Sequence, residues 1–248
     1  MGRWGNLRTA GRLAITVAIG PSGAAHAQPA AIGSTALAQN QVTREIGGAS
    51  SALSTGDSVY LNEVVKTGSG SLAKFVFVDS TNLSVGPVSR VVLDRFVYSG
   101  DPGVQKVTVN LAKGVFRFTT GSLDKKAYTI NTPTAAIGVR GTILDIKVGG
   151  QTKVTLVEGQ AIVCPRKREK GLDRQLTECG KALAGERGAH CDCLDLRSAG
   201  QTAVAKKGAV SSSSVPVDFA SLCAGDSALC SSSSFASNDA GGGALCGR

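Results

Sequence analysis

Seven cysteines, and one histidine outside the N-terminal thirty residues, hold most of the reactive chemistry of this 248-residue chain. Cys164, Cys179, Cys191 and Cys193 cluster around a charged stretch, and Cys223, Cys230 and Cys246 follow in the C-terminal part. In an oxidising compartment such cysteines read first as disulfides. Cys164 ends one strand-like run and Cys193 begins the next, so pairing them staples the base of the loop between. Cys179 can then close on Cys191, and Cys223 on Cys230 as a small local loop. Cys246 is left over, free or available for self-association between chains. The competing reading is a metal site, since His190-Cys191-Asp192-Cys193 with Cys164 or Cys179 offers soft ligands. A paired Cys-x-x-Cys spacing is missing, so disulfides rank first and no cofactor or metal is expected.

Catalytic chemistry finds little to work with. A Ser-His-Asp or Cys-His arrangement would have to use His190, which sits inside the cysteine-rich loop. Neither Gly-x-Ser-x-Gly, a phosphate-binding glycine loop nor His-Glu-x-x-His occurs. Asp94, Asp145 and Glu158 are the acids a glycan-cleaving pair would draw on, but nothing in their spacing singles them out. The expectation is a protein that is not an enzyme.

The N-terminus sets the compartment. Arg3, Arg8 and Arg12 with no acid precede the apolar run 13–19, the breaker Gly20-Pro21-Ser22-Gly23 and the small-residue triplet Ala25-His26-Ala27. That tripartite pattern predicts a secretory signal peptide over residues 1–27, cleaved after Ala27. A run of seven residues, apolar apart from Thr16, is far shorter than the roughly 20 that span a bilayer. No cysteine sits at the cleavage site, so the expected product is a periplasmic protein without stable membrane insertion, secreted or surface-associated at most.

The elements that position these residues are strands. Period-2 alternation runs through residues 72–78, 106–111, 114–118, 144–148 and 153–157, with turn signals at 78–82, 99–103, 120–122 and 149–150. The pattern predicts an all-β domain over residues 28–207, a compact β-roll, sandwich or solenoid-like body of many short strands. Spacing alone does not choose among these. Residues 164–193 form its cysteine-rich loop. From Gly208 the chain is rich in Ser, Gly and Ala, which predicts a flexible tail over 208–248, with Val217-Asp218-Phe219 and Leu222 docking locally.

Charge is mild and spread. The whole chain carries a net +9; residues 40–163 hold 13 basic and 9 acidic residues, residues 164–207 hold 10 and 6, and residues 208–248 hold 1 and 3. Arg166-Lys167-Arg168 with Lys170 is the one dense patch. Few aromatics interleave with it, which argues against nucleic acid as a partner.

Four stretches in order resemble the FecR domain family. They are Gly56-Asp57-Ser58-Val59-Tyr60 running into 62–68; Val85-Gly86-Pro87-Val88-Ser89 with 92–98, which includes Asp94 and Arg95; Lys113-Gly114-Val115-Phe116-Arg117-Phe118; and Thr132-Pro133-Thr134-Ala135-Ala136-Ile137-Gly138-Val139-Arg140-Gly141-Thr142, followed by Glu158-Gly159. The resemblance covers roughly residues 45–163. In physical terms each stretch sets strand residues beside a Gly or Pro corner. Thr132, Pro133, Gly138, Arg140 and Gly141, with Asp94 and Arg95, therefore read as fold determinants, Arg140 as a clamp between strands with Asp94, Asp145 and Glu158 as candidate partners. The resemblance implies a protein-binding or sensing module of envelope signalling or transport, whose partner is another envelope protein. The cytoplasmic segment and membrane helix of FecR-type regulators are not recognisable. Two other functions compete: a structural envelope component touching anionic polymers through the basic loop, and a sensor of a small molecule or metal chelate.

Overall fold

The computed structural model describes residues 1, 31–98, 105–122, 128–166, 174–175 and 191–223. The signal-peptide segment, most of the cysteine-rich loop with Cys179 and His190, and Cys230 and Cys246 lie outside these residues.

Among the described residues, fifteen strands join in one continuous hydrogen-bonded sheet that branches into two ladders. Three long strands belong to both: β9 (Gln105–Thr119), β11 (Ala135–Val148) and β12 (Thr152–Pro165). Their outer halves extend the first ladder, with β8 (Arg90–Tyr98), β5 (Glu63–Thr67), β2 (Val42–Ile46) and β3 (Ala49–Ala52) on the β9 side. Beyond the β12 side lies β13 (Leu194–Leu196). Between β9 and β11 in this ladder sits β10 (Tyr128–Asn131), parallel to β9 and antiparallel to β11.

In the second ladder β9 and β11 pair directly, Gly114 to Thr119 against Ile143 to Val148. This ladder continues through β7 (Asn82–Val85), β6 (Leu72–Phe77), β1 (Ala31–Gln39) and β4 (Ser58–Tyr60) on one side. On the other it continues through β14 (Thr202–Lys206) and β15 (Ala209–Ser213). The apolar sides of both ladders share one core, in which Phe75, Phe116, Phe118, Leu83, Leu111, Ile137 and Leu144 are fully buried. Burying each such side chain contributes roughly 1.5–3 kcal/mol.

The sequence shows how a long strand serves two ladders. In β9 the side chains in the shared apolar core are Val107, Val109 and Leu111, then Phe116 and Phe118. In β11 they are Ala135, Ile137 and Val139, then Leu144, Ile146 and Val148; in β12, Val154 and Leu156, then Ala161 and Val163. Each run switches between odd and even numbering midway. A one-residue insertion at that point keeps apolar side chains inward on both sides of the bend. The switches fall at Gly114, Gly141 and Gly159, all at positive φ (119°, 57° and 86°). A Cβ on Gly114 would lie 2.0 Å from Ser89 Oγ, and one on Gly159 would lie 1.8 Å from the Gly141 carbonyl oxygen. No side chain fits either corner.

Hydroxyls restore the bonds lost at the bends. Val115 N–H donates to Ser89 Oγ at 3.0 Å. Thr142 Oγ1 accepts from Arg140 N–H at 2.9 Å and donates to the Gln160 carbonyl at 2.6 Å, while Thr142 N–H donates to Thr120 Oγ1 at 2.8 Å. A buried backbone group left without such a partner costs about 1–3 kcal/mol.

Cys164 and Cys193 are joined by a disulfide across the base of the loop. Closing a loop of 29 residues restricts the unfolded chain by roughly 3–4 kcal/mol in the chain-entropy account. Cys191 is disulfide-bonded as well. The boundary expected at Gly208 lies too early: Ala209–Ser213 pairs with β14, and Val217 and Phe219 are buried, Phe219 opening the short helix α1 (Phe219–Cys223).

The corner makes a direct stability prediction. Gly159→Ala combines a left-handed backbone with a collision against backbone, so it should cost at least about 3 kcal/mol and lower Tm by roughly 6–12 °C. Gly149→Ala, with open space around its Cβ, serves as the control and should shift Tm by no more than about 2 °C. Equal melting of the two variants in thermal circular dichroism would contradict this account of the bend.

Candidate functional site

The side of the second ladder facing away from the core carries a row of polar residues in cross-strand register. Lys74 in β6 stands opposite Ser84 in β7, Ser84 opposite Arg117 in β9, and Arg117 opposite Asp145 in β11. The row continues from Asp145 to Thr155 in β12 and from Thr155 to Thr202 in β14. Those in β6, β7, β9, β11 and β12 each lie between core residues along the strand, as Asp145 does between Leu144 and Ile146, so alternation sends them to the opposite side. Polar residues in that phase normally meet water. Here Lys74 and Asp145 are each only 2% exposed, and Ser84, Thr155 and Thr202 are buried too.

An ion pair anchors the row. Arg117 Nε donates to Asp145 Oδ1 at 2.7 Å and Nη2 donates to Oδ2 at 2.8 Å, a two-pronged geometry that charged hydrogen bonds favour. The C-terminal segment closes over it. Phe219 N–H donates to Asp145 Oδ2 at 3.0 Å, and Val217 N–H donates to Thr155 Oγ1 at 2.7 Å. The Phe219 ring lies 5.8 Å from the Arg117 guanidinium carbon, within cation–π range. Beside this segment opens a cleft of about 440 Å³, lined in part by Lys147, Lys153, Val215, Pro216, Asp218 and Ser221.

A second charged group sits on the first ladder. The Glu63 carboxylate accepts from Tyr60 N–H at 2.9 Å and lies 3.3 Å from Arg44 Nε, without a hydrogen bond between Nε and Oε1. Arg44 donates instead to the Ser58 carbonyl at 2.8 Å, with its guanidinium 6.0 Å from the Tyr60 ring centre. Burial pushes the Glu63 carboxyl above its ordinary range, and the Tyr60 N–H and Arg44 only partly oppose it.

The residues singled out from sequence are dispersed. Asp94 is exposed and accepts from Asn110 Nδ2 at 2.7 Å; Arg95 pairs with Thr108 in the β8–β9 ladder. Thr132 is buried, its Oγ1 2.8 Å from Thr152 Oγ1 and accepting Ala135 N–H at 2.8 Å, so it locks the turn into β11 beside exposed Pro133. Gly138 lies in β11 between Thr129 and Ile162, and Gly141 is a bend. Arg140 is exposed at the rim of a depression of about 430 Å³ with Gly141, Gly159 and Gln160. Asp145 is paired by Arg117 instead. Among the described residues no group of three or more His, Cys, Asp or Glu could hold a metal ion. No helix among them is long and apolar enough to cross a membrane. Arg166 of the basic patch donates to the Thr132 carbonyl at 2.9 Å.

Residues 63–161 match the FecR protein family, in agreement with the motifs read from the sequence. Two crystal structures of a candidate anti-sigma factor from Parabacteroides distasonis ATCC 8503, at 1.65 and 2.50 Å resolution, are similar to the chain. Each aligns at 11% identity and a TM-score of 0.43, over 64% of this chain and 62% of that one. The chain thus spans less than two thirds of that protein's length. No curated protein matches.

Two predictions follow from the charged groups. Arg117→Met or Asp145→Leu alone strands a buried charge and should cost about 3–5 kcal/mol. The double variant should cost at least about 1 kcal/mol less than the singles added together; additive losses in urea melts would show that the pair is not coupled. For Glu63, a folded pKa above the unfolded value means the native state holds the proton more tightly. Its contribution is fully present below the unfolded pKa near 4.5 and is lost as pH rises through the folded pKa. The Tm difference between wild type and Glu63→Gln should therefore shift in favour of wild type on acidification from pH 7 to 4, and the opposite slope would contradict the assignment.

Proposed function

Residues 63–161 being a FecR domain, we propose that the chain is a non-catalytic periplasmic module that binds another envelope protein in signalling or transport. The family match carries this reading. The disulfide between Cys164 and Cys193 supports an oxidising compartment, because such bonds persist there and are rare in the cytosol. The N-terminal pattern of three arginines, a short apolar run and Ala-His-Ala supports export.

The chemistry of the interior supports binding over turnover. Asp145 is held between Arg117 and Phe219 N–H, and buried Asp79 accepts from Thr81 Oγ1 at 2.6 Å and Tyr128 Oη at 2.9 Å. A general base needs a lone pair aimed at a substrate proton, whereas these carboxylates aim theirs at the protein's own donors.

The test is chemical crosslinking in the native periplasm, followed by affinity purification of the chain and mass spectrometry. Recovery of one outer-membrane receptor or one inner-membrane regulator is the expected result. Recovery of bulk envelope polymer, or of the chain alone, would overturn the reading in favour of a structural or self-associating component.

A further inference from the structure

We infer that the polar row across β9, β11 and β12 is a peptide-docking site, filled in cis by Val217–Phe219, that accepts a segment of a partner protein with the pattern aliphatic–acidic–aromatic. This rests on the protein-binding reading above and gives that reading a surface and a ligand chemistry.

The mode of attachment is that of a bound peptide. Residues 217–219 alternate buried, exposed, buried, Val217 and Asp218 without regular structure and Phe219 opening α1. Their two N–H donors, two residues apart, reach side-chain acceptors on neighbouring strands, Thr155 in β12 and Asp145 in β11. Backbone N–H groups are common to any sequence, so these bonds fix position without selecting a side chain. Selection falls to the apolar contacts. The Phe219 ring meets the Arg117 guanidinium, and its edge lies over Gly86, 3.4 Å from where a Cβ would stand. Val217 takes the aliphatic position and is buried.

The middle position is set by capping and charge. Asp218 Oδ1 accepts Ala220 N–H at 2.9 Å, capping α1, and the exposed residue lines the cleft of about 440 Å³ together with Lys147 and Lys153. The two lysines are direct cross-strand neighbours, and like charges placed opposite each other destabilise a ladder unless an anion offsets them. An acidic residue between the two apolar ones supplies it.

The cis occupant is tethered lightly. It follows an exposed stretch, Ser214–Pro216, in which Val215 remains 59% exposed. Among the described residues, the N–H bonds of Val217 and Phe219 are its hydrogen bonds to the ladder. A competing segment in trans must displace it, so apparent affinity is lowered by the fraction of chains in which the strap is closed.

The probe is a fluorescent peptide of residues 214–222, titrated by anisotropy into the full chain and into full-chain Phe219→Ala. The variant, whose own strap has lost its ring, should bind at least about tenfold more tightly than wild type. Replacing the phenylalanine of the peptide by alanine should abolish binding, and replacing its aspartate by lysine should weaken it. A folded Phe219→Ala chain that binds no peptide, or binds the alanine peptide equally well, overturns the proposal. Should that variant not fold, hydrogen exchange on wild type decides. Excess peptide should accelerate exchange at the Val217 and Phe219 amides and leave the β11–β12 ladder unchanged, whereas unaltered exchange at 217 and 219 overturns it. Recovery of an envelope partner by crosslinking together with a negative peptide result would discard this site and retain the binding module.

Discussion

The fold depends on one backbone constraint: three adjacent long strands must turn from one ladder into the other at the same place. Gly141 and Gly159 approach so closely that no Cβ fits on the latter, and Gly114 turns β9 against Ser89. Because each bend inserts one residue, it also reverses which alternate side chains face inward. The apolar pattern therefore has to reverse with it, and in β9, β11 and β12 it does. Glycine position, hydrophobic phase and the hydroxyls of Ser89, Thr120 and Thr142 all specify the same corner. Consistency among independent local signals of this kind favours one native arrangement over its competitors.

The corner has a consequence on the far side of the second ladder. Once β9 and β11 pair directly below it, Arg117 and Asp145 become neighbours in a phase that would ordinarily be solvated. Covering such a pair is expensive, since two charges leave water, and removing either partner afterwards is more expensive still. The covering segment meets the cost with donors of its own: its two N–H groups satisfy Asp145 and Thr155, and its aromatic ring lies over the guanidinium. Burial, charge pairing and the path of the C-terminal segment are thus one feature. A purely apolar face would have held the segment equally well without specifying where along the sheet it lies.

Much of this was legible in the chain. The strands, the turns at 78–82, 120–122 and 149–150, and the FecR motifs appear as local patterns, and the reversal of apolar phase around Gly114, Gly141 and Gly159 is visible once the strands are aligned. What was hidden is non-local. The parallel pairing of β9 with β10 involves no signal in either strand. Asp145 was a candidate partner of Arg140 on sequence, and its pairing with Arg117 has no local mark, because the group that buries the pair, Phe219, lies 74 residues beyond Asp145. Val217-Asp218-Phe219 stood out from the surrounding serine, glycine and alanine as a docking segment, but nothing in the composition marked where on the sheet it docks. Arg140, read as a clamp between strands, is exposed at the corner, where the bend leaves its side chain on the outer surface.

The FecR match over residues 63–161 and the buried, charge-anchored strap together support the proposal of a binding protein whose working face is the second ladder, not the exposed corner around Arg140. Site-specific photocrosslinking in the native envelope tests this most directly, with the photoreactive residue placed in turn at Asp94, Arg140, Lys147, Lys153 and Val215. Adducts with one partner concentrated at positions 147, 153 and 215 are the predicted result. Adducts concentrated at 94 and 140, or spread evenly over all five, would contradict it.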